Sequence, residues 1–324
     1  MIPVGITREG AFTLQPDDAA LFALNAEKLP VVEDNGTRIH WPESASTREL
    51  TVTDGGAVRS LGNVDLVFPI LHGPWGEDGT IQGMLELVDL PYVGSGVLAS
   101  SLGMDKHFTK TVLQQSGIPV APWCTVTSFE WRTDADGVRR SARDLGLPAF
   151  VKPARAGSSV GVSKVSDWDE LDAAIETALA EDDRVLIESG VVGREVEIAV
   201  LGGRPGEATR ASVAGEIVIS GREFYDFAAK YLDAPGIDLV CPADLTGDEL
   251  ATMRRLAVTA FDAIGGEGLA RVDFFLTDDG FVINEINTMP GFTPISMFPR
   301  CWQETGLSYP ALIDELIDVA LARA

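Results

Sequence analysis

The stretch RVDFFLTDDGFVINEIN, residues 271–287, places charged and amide side chains at alternating positions within an apolar segment. Residues two apart on a strand point to the same face, so Arg271 shares a face with Asp273, and Glu285 shares one with Asn287. A hairpin with a three-residue loop would set Asp273 opposite Glu285 and Arg271 opposite Asn287. A two-residue loop would put the two sets on opposite faces of the sheet.

The three-residue loop would contain Asp278, Asp279 and Gly280, and the glycine suits the left-handed position of such a loop. It would bring two acids, an amide and an arginine to one patch. Carboxylate and amide oxygens suit Mg²⁺, which prefers carboxylates together with substrate phosphates. We therefore predict a metal site here, with a solvated hairpin face as the alternative. Apolar neighbours disfavour that alternative: they are Val272, Phe274, Leu276, Val282 and Ile286.

The composition is that of a globular enzyme with a strongly acidic surface. With 324 residues the chain can bury a large core, and we expect two or three domains of about 100–200 residues each. A net charge of −24 argues against nucleic acid and anionic membrane as partners, because both would repel the protein. The three cysteines are far apart and suit thiols in a reducing cytosol. Without a long apolar run, we expect a cytoplasmic protein that has no signal peptide and no membrane span.

Residues 1–105 alternate short apolar runs with helical patterns, which predicts an open parallel sheet with flanking helices. Within this region, residues 64–71 have the pattern of a buried strand. Residues 80–87 have the pattern of a helix, with Asp78 as its N-cap. A further helix is expected at 105–116.

Residues 121–200 predict an α+β unit with antiparallel pairing. The expected strands cover 148–153, 160–165, 184–188 and 195–201, and one helix covers 168–180. Residues 205–240 predict a strand and a long loop. Helices are expected at 248–264 and at 308–324, the last being amphipathic and docked on the domain.

Lys152 ends an apolar strand and precedes a Gly- and Ser-rich run at 157–161. Backbone N–H groups and hydroxyls in such a loop can approach a polyphosphate, and the lysine adds a compact charge. A flexible turn beside a surface lysine explains this stretch equally well. The run is not a Walker loop, and the pattern Gly94-x-Gly96-x-x-Ala99 lacks the strand and the acidic residue of a dinucleotide site.

Two further stretches have the composition of ligand-binding loops. Residues 72–79, HGPWGEDG, follow the strand predicted at 64–71, and open α/β sheets bind ligands at that end of a strand. For His72, a structural hydrogen bond is as good an explanation as substrate contact. Residues 224–231, FYDFAAKY, combine aromatics with a lysine as an active-site lid would, although packing of the aromatics also explains them.

Taken in order, six motifs resemble those of the D-alanine–D-alanine ligase family of the ATP-grasp superfamily. They are LHG with GEDG at 71–79, GSG at 94–96, MDK at 104–106, VKP with GSSVG at 151–161, YD with KY at 225–231, and EINTMPGFT at 285–293. The resemblance implies an ATP-grasp fold that combines α/β and α+β architecture. It implies an N-terminal open parallel α/β (pre-ATP-grasp) domain at 1–105, a central ATP-grasp subdomain at 106–188, and a C-terminal ATP-grasp subdomain with the metal site at 189–324.

The resemblance also implies a reaction. ATP phosphorylates the carboxylate of one D-alanine, and the amine of a second D-alanine then displaces phosphate to give D-alanyl-D-alanine for peptidoglycan precursors. A carboxylate alone is a poor electrophile, and phosphorylation supplies a leaving group. The implied small-molecule partners are D-alanine and ATP, and the implied assembly is a homodimer formed through N-terminal domains.

The site residues that the resemblance implies fall into four sets. Those that bind ATP are Lys106, Lys152, Ser158, Ser159, Glu188, Val191, Glu195 and Lys230. Those that hold two Mg²⁺ ions, with Mn²⁺ as the alternative ion, are Asp273, Glu285 and Asn287. The catalytic set is Arg271, Gly291, Ser158, Tyr231 and His72, in which Arg271 and the Gly291 N–H would stabilise charge at the reacting carbonyl. Those that bind the amino-acid substrates are Ser296, Met297 and Tyr225.

Two features bear on specificity and on the start of the chain. Tyr231 implies that the acceptor is an amine and that the product is a dipeptide, not an ester. The family pattern normally opens with a strand and a Gly-rich turn before a Ser-Glu segment, and this chain has no counterpart of them before Val4. We expect the natural start to lie upstream, with a shortened homologue of impaired D-alanine binding as the alternative. Another ATP-grasp carboxylate–amine ligase and a nucleotide-binding homologue are the rival functions.

Overall fold

The strands and helices come from a computed structural model, which describes residues 1–18, 31–157, 159–219 and 237–323. The strands are β1 (Val4–Ile6), β2 (Phe12–Leu14), β3 (Arg38–His40), β4 (Glu49–Asp54), β5 (Ala57–Asn63), β6 (Trp123–Thr127), β7 (Ala149–Pro153), β8 (Ser163–Val165), β9 (Arg184–Ser189), β10 (Arg194–Leu201), β11 (Arg210–Ile219), β12 (Ile237–Val240), β13 (Leu269–Thr277) and β14 (Gly280–Asn287). The helices are α1 (Thr80–Leu87), α2 (Val97–Met104), α3 (Lys106–Gln115), α4 (Ser128–Thr133), α5 (Ala135–Arg143), α6 (Leu171–Leu179), α7 (Gly247–Ala263), α8 (Met297–Glu304) and α9 (Tyr309–Leu321).

The N-terminal region contains two small antiparallel sheets. One consists of β1 and β2, and the other has the order β3-β4-β5. The open parallel sheet predicted for residues 1–105 is not what the described residues form. Parallel pairing among them in this region is limited to one bridge between Val67 and Tyr92.

The strand predicted at 64–71 is therefore wrong, and the local backbone gives the reason. Pro69 has no N–H with which to continue a ladder. The next N–H, that of Ile70, turns back and donates to the carbonyl of Phe68 at 3.1 Å. Apolar side chains predicted a buried strand, but the segment is only partly buried, and Ile70 is 53% exposed.

Helix α1 has the bounds that the sequence predicted, but its cap differs. The N-cap is Gly79 in the left-handed region, with φ +91°, and not Asp78. Asp78 lies one residue before the N-cap, and its carboxylate still accepts the Thr80 N–H at 3.0 Å. In α3, by contrast, Asp105 is the N-cap and accepts the N–H groups of the next turn.

A four-stranded antiparallel sheet of order β6-β9-β7-β8 forms the centre of the chain. The strands predicted at 148–153, 160–165 and 184–188 correspond to β7, β8 and β9. Helices α5 and α6 cover one face of this sheet. Their shared core is built from small and branched residues, among them Ala142, Val151, Ile175, Val185 and Ile187.

A five-stranded antiparallel sheet of order β12-β11-β10-β13-β14 forms the C-terminal half. Alternate residues of β10 point to opposite faces. Val196 and Ile198 pack in the core that α7 covers, whereas Ala199 and Leu201 pack in the core that α8 and α9 cover. The sheet is thus buried on both faces along part of its length, and the helices predicted at 248–264 and 308–324 provide the cover.

The turn between β13 and β14 has two residues, so the predicted three-residue loop at 278–280 is wrong. Thr277 pairs with Gly280, and this register continues as far as the pair of Phe274 with Ile283. The Thr277 hydroxyl tightens the turn, because it donates to the Gly280 carbonyl at 2.9 Å and accepts an N–H from the turn at 3.2 Å.

The predicted facing pairs nevertheless form, because β14 contains a bulge at Asn284. Beyond the bulge Asp273 faces Glu285, and Arg271 faces Asn287. A bulge adds one residue to one strand and reverses the face on which all later side chains lie. The extra residue therefore compensates for the shorter turn.

The apolar residues of β14 show why the bulge is favourable. Phe281 and Ile283 before it and Ile286 after it all pack in the core under α7. These positions have odd numbers before the bulge and an even number after it, so a regular strand could not bury all three on one face. Burying them leaves Glu285 and Asn287 on the opposite face.

Within the described residues, no helix is both long and apolar enough to cross a lipid bilayer.

We expect Phe274→Ala to lower the free energy of unfolding by about 3–5 kcal/mol. Phe274 is 2% exposed, and its ring packs edge-to-face on Phe281 with centroids 5.8 Å apart. The control is Phe129→Ala at a position that is 68% exposed, where a change within about 0.5 kcal/mol is expected. Urea unfolding followed by circular dichroism measures both. Equal losses in the two variants would contradict this core.

Candidate functional site

A tight cluster of charged groups surrounds Arg271 on the face of the five-stranded sheet opposite α7. The guanidinium donates to both carboxylate oxygens of Asp273 at 2.7 Å, and its Nε lies 3.2 Å from Oε2 of Glu197. The Asn287 amide donates to Asp273 Oδ2 at 3.0 Å. Strand pairing sets this arrangement, because Asp273 faces Glu197 on β10 and Glu285 on β14.

The carboxylates of this cluster keep Arg271 charged. Desolvation lowers the pKa of Arg271, but the charges of Asp273 and Glu197 outweigh it and hold the pKa well above its ordinary value. Glu285 adds a third carboxylate beside the single guanidinium, so the cluster has a net negative charge. Such a patch attracts cations and repels phosphate.

The predicted metal set has the donor chemistry of a hard cation. It consists of two carboxylates and one amide, and both carboxylates line the cavity described below. In the described part of the chain, no group of three or more His, Cys, Asp or Glu side chains has the arrangement of a metal centre. Any such centre here would therefore need oxygens from outside these side chains, as Mg²⁺ sites with substrate phosphates do.

A cavity of about 250 Å³ opens between the four-stranded and the five-stranded sheets. Residues predicted to bind ATP and residues predicted to bind metal both line it. They are Lys106, Lys152, Ser159, Glu188, Val191, Glu195, Asp273 and Glu285. Arg271 and Asn287 do not line this cavity, but both donate hydrogen bonds to Asp273, which does. The structure thus brings the two predicted sets to one place.

Lys106 and Lys152 approach the cavity from different elements. Lys106 begins α3, and its Nζ donates to the Ala156 carbonyl at 2.6 Å, while its N–H donates to the Ala154 carbonyl at 3.0 Å. Lys152 lies on β7, and its Nζ is 2.6 Å from Oε2 of Glu188. The Lys106 ammonium is thus held by the segment that follows β7, and the Lys152 ammonium by β9.

Glu188 is the centre of a buried ion triad that the sequence analysis missed. Its other oxygen, Oε1, lies 3.2 Å from Nζ of Lys110, and the two side chains are only 5% and 4% exposed. Burial raises the pKa of Glu188, but the charges of Lys152 and Lys110 outweigh it, and the net pKa lies below its ordinary value. Burial lowers the pKa of Lys110 despite the attraction of Glu188.

This triad bears on the ATP-binding role predicted for Glu188, which the family resemblance places at the adenine. Both carboxylate oxygens face lysines, so in this arrangement the side chain orients Lys152. Its contact with adenine stays a prediction. Lys110 could have been found in the sequence, because it lies four residues after Lys106 on the same helix face.

The loop at 72–79 docks onto the backbone of Met289. The His72 ring donates from Nδ1 to the Met289 carbonyl at 3.0 Å, which leaves Nε2 as an acceptor. The Glu77 carboxylate accepts the Gly73 N–H at 2.6 Å and also a hydrogen bond from the Met289 backbone. His72 therefore makes a structural hydrogen bond, which the sequence analysis gave as the alternative to substrate contact. Its partner Met289 lies two residues before the predicted catalytic Gly291.

Glu77 is a titratable group that the sequence analysis did not assign. Desolvation raises its pKa to about 7; backbone hydrogen bonds from Gly73 and Met289 oppose this rise, and the charge of Glu285 adds to it. Desolvation also lowers the pKa of His72, with a smaller contribution from Arg271. The imidazole is therefore neutral at neutral pH.

Gly291, Ser296 and Met297 follow β14 at the start of α8. A side chain at Gly291 would place its Cβ 3.1 Å from Ser296 Oγ, so the backbone there approaches the hydroxyl closely. Ser296 accepts the Thr293 N–H at 3.1 Å. Met297 is 4% exposed and packs in the core, so any substrate contact of this residue would use its backbone N–H and not its side chain.

Four predicted site residues lie outside the described residues, namely Ser158, Tyr225, Lys230 and Tyr231. Glu197 was missed although a local signal existed. It lies two residues from Glu195 on a predicted strand, so the two acids share a face. Glu77, by contrast, can be recognised only in the fold, because its raised pKa comes from burial against the distant segment at Met289.

Comparison with protein families supports both halves of the chain. Residues 1–95 match the family profile described as the D-ala D-ala ligase N-terminus, and residues 112–318 match the D-ala D-ala ligase C-terminus. A D-alanine--D-alanine ligase of Paenarthrobacter aurescens is 53% identical over 327 residues, covering all of this chain and 86% of that protein. A D-alanine--D-alanine ligase of Streptomyces coelicolor is 49% identical over 335 residues, covering all of this chain and 85% of that protein.

Solved structures show the same relationship. The D-alanine-D-alanine ligase from Coxiella burnetii superposes with a TM-score of 0.80 at 35% identity, over 99% of this chain and 84% of that one. A D-Ala:D-Ser ligase from Enterococcus faecalis superposes with a TM-score of 0.83 at 34% identity, over 98% and 89% of the two chains. These likenesses confirm the predicted fold class, an ATP-grasp fold with an N-terminal domain.

Glu188→Gln is expected to lower the free energy of unfolding by about 3–5 kcal/mol, because it leaves two lysines together without a counter-charge. Adding Lys110→Met should restore part of the loss, because one buried cation is removed. The control is Glu181→Gln at an exposed position. Urea unfolding measures all three variants. A loss for Glu188→Gln no larger than that of the control would contradict the buried triad.

Glu77 is expected to make stability depend on pH in the absence of divalent cations. Its pKa is about 7 when folded and near the ordinary 4.5 when unfolded, so the folded state holds an extra proton between these values. Stability should therefore fall as pH rises through this window and level off above it. We expect a contribution of about 1–2 kcal/mol after allowance for solvent screening.

The measurement is the stability difference between the unaltered protein and Glu77→Gln from pH 4.5 to 8, in a chelating buffer. Leu87→Ala, at the exposed end of the adjoining helix, is the control and should show no such dependence, because it changes no titratable group. A pH-independent difference for Glu77→Gln would disprove the raised pKa.

Proposed function

Because the chain belongs to the D-alanine–D-alanine ligase family, we propose that it joins two D-alanine molecules into D-alanyl-D-alanine and converts ATP to ADP and phosphate. The product would serve as a precursor of peptidoglycan. One observation carries the proposal: a single cavity is lined by lysines from α3 and the four-stranded sheet and by carboxylates from the five-stranded sheet. ATP-dependent activation of a carboxylate needs both kinds of group.

The lysine side of the cavity suits the phosphates of ATP. Lys106 and Lys152 present ammonium groups, and Ser159 lies in the Gly- and Ser-rich run beside them. Glu188, Val191 and Glu195 line the same cavity, and we assign them to adenine and ribose on the family resemblance. Ser158 and Lys230 belong to the proposed ATP site on that resemblance alone.

The acidic side of the cavity suits divalent cations. Asp273, Glu285 and Asn287 would hold two Mg²⁺ ions, with Mn²⁺ as the alternative, and such ions neutralise phosphate charge when bound. Their oxygens belong to neighbouring strands held in register by the bulge at Asn284. Asp273 is also fixed by Arg271, so its position is determined before any ligand arrives.

Arg271 and the Gly291 N–H would stabilise the negative charge that develops when the amine attacks the acyl phosphate. Arg271 is suited to this because its charge is permanent and its side chain is held at 2.7 Å from Asp273. Neutral His72 would lie near the acyl phosphate with Nε2 as an acceptor. We further assign Tyr231 to substrate orientation together with Ser158, on the family resemblance.

Ser296 and Met297 would bind the carboxylate of the second D-alanine, and Tyr225 would contribute to the same substrate site. The start of α8 provides backbone N–H groups that favour an anion, and the Ser296 hydroxyl lies beside them. An amine acceptor fits the proposal. D-serine is the second candidate acceptor, because a D-Ala:D-Ser ligase has a similar structure.

We further propose that the protein acts in the cytoplasm as a homodimer formed through its N-terminal domains. The domains would divide at 105/106 and 188/189. The two family profiles, at 1–95 and 112–318, are compatible with the first boundary. The second lies at the last residue of β9, next to the gap between the separate sheets at 123–189 and 194–287.

The test is release of phosphate from ATP together with product analysis by mass spectrometry. We expect D-alanine to support turnover and dipeptide formation, L-alanine and D-lactate to support little, and D-serine to be a weaker acceptor. Glu285→Gln should lower kcat by about 10–100-fold or more, whereas Asp279→Asn on the exposed turn of the same hairpin should not. Efficient ester formation with D-lactate at neutral pH, or equal activity of the two variants, would refute the assignment.

A further inference from the structure

Two of the three cysteines meet in the fold although sixty residues separate them in the sequence. The sulfurs of Cys241 and Cys301 lie 3.7 Å apart. Cys301 is fully buried in α8, and Cys241 is half-buried just after β12. The third cysteine, Cys124, lies on β6 in the other large sheet. Composition alone predicted three unrelated thiols.

The surroundings of Cys241 favour its thiolate. The neighbouring Cys301 lowers the pKa of Cys241. Burial opposes this effect, the positive charge of Arg300 supports it, and the negative charge of Glu304 opposes it, with a net pKa below the ordinary value. Arg300 is held in place because its Nη2 donates to the Leu239 carbonyl at 3.2 Å. Cys124 shows the opposite behaviour, since burial and the nearby Asp144 raise its pKa to about 11. Partly exposed thiols beside a positive charge are the reactive ones in proteins.

We propose that Cys241 and Cys301 form an oxidation site at which hydrogen peroxide produces an intramolecular disulfide. The Cys241 thiolate attacks one peroxide oxygen, the O–O bond breaks, and hydroxide leaves to give a sulfenic acid. The Cys301 sulfur then attacks the Cys241 sulfur and displaces the hydroxyl group, which leaves as water with the thiol proton. Both sulfurs are oxidised, and one peroxide is reduced to two waters.

The disulfide would act on the start of α8. A disulfide needs the sulfurs about 2.05 Å apart, so they must approach by roughly 1.7 Å. Cys301 packs among large core residues such as Phe298 and Trp302 and lies one helical turn from Met297. A shift of this helix would therefore move Ser296 and Met297, which are proposed above to bind the second D-alanine. This consequence rests on the proposed function, whereas formation of the disulfide does not.

The first experiment treats the full chain with hydrogen peroxide, blocks remaining thiols with iodoacetamide, and analyses peptides by mass spectrometry. We expect a Cys241–Cys301 linked peptide that has lost two hydrogen atoms, with Cys124 still alkylated. Cys241→Ser and Cys301→Ala should each abolish the linked peptide, and Cys124→Ser should not. Arg300→Gln should slow its formation by about threefold or more. Absence of the linked peptide in the unaltered protein, or linkage through Cys124, would overturn the proposal.

The second experiment measures steady-state kinetics before oxidation, after oxidation, and after reduction with dithiothreitol. We expect oxidation to lower kcat/KM for the acceptor D-alanine by about tenfold, because misplacement of roughly 1 Å has effects of this order or larger. KM for ATP should change little, and dithiothreitol should restore the activity. Cys241→Ser should be insensitive to peroxide.

The outcomes separate the two proposals. A linked peptide with unchanged acceptor kinetics would overturn the effect on α8 and leave the ligase assignment intact. A protein that forms the disulfide but never makes dipeptide would contradict the proposed function and leave the oxidation site intact.

Discussion

The bulge at Asn284 is the constraint on which the site depends. A two-residue turn by itself would place Glu285 and Asn287 on the face of the sheet that α7 covers. The extra residue at the bulge puts both side chains on the opposite face instead. Burial of Ile286 in the core under α7 favours a bulge at this position. The acids of the site therefore owe their position to the hydrophobic core on the other face. Stability and chemistry are linked through a single residue of β14.

The same sheet explains why Arg271 can be held beside three carboxylates. On β10 and β13 the apolar residues at even positions pack under α7, which leaves the odd positions of both strands on one face. Near the ends of the strands that face is covered by α8 and α9, and toward the middle it carries Glu197, Arg271 and Asp273. Bidentate contact with Asp273 satisfies the guanidinium where solvent is largely excluded.

Sequence patterns predicted most strands of the two large sheets and the helices α6, α7 and α9, because these elements have a buried face and a regular period. They missed the strands β6 and β12 and the helices α4, α5 and α8, where only one helix had been expected within residues 121–200. They failed at residues 64–71, where apolar content indicated burial but Pro69 prevents a ladder. They predicted the pairing of Asp273 with Glu285 through the wrong turn, because a bulge has no local signature and appears only as a change of apolar phase between Ile283 and Ile286. Glu77 and the pair of Cys241 with Cys301 could not be assigned, because their partners are remote in sequence.

The distribution of charge across the cavity gives a physical reason for the proposed metal requirement. On one side Lys110 and Lys152 share a single buried carboxylate, that of Glu188, and Lys106 adds a further ammonium group, so this side is positive. On the other side Asp273, Glu197 and Glu285 share one guanidinium, so that side is negative. A polyphosphate alone would be attracted to the first side and repelled by the second, by energies of about 4 kcal/mol per pair near 4 Å at an effective dielectric of 20. Cations placed between phosphate and carboxylate change that repulsion into attraction, and a nucleotide can then span both sheets.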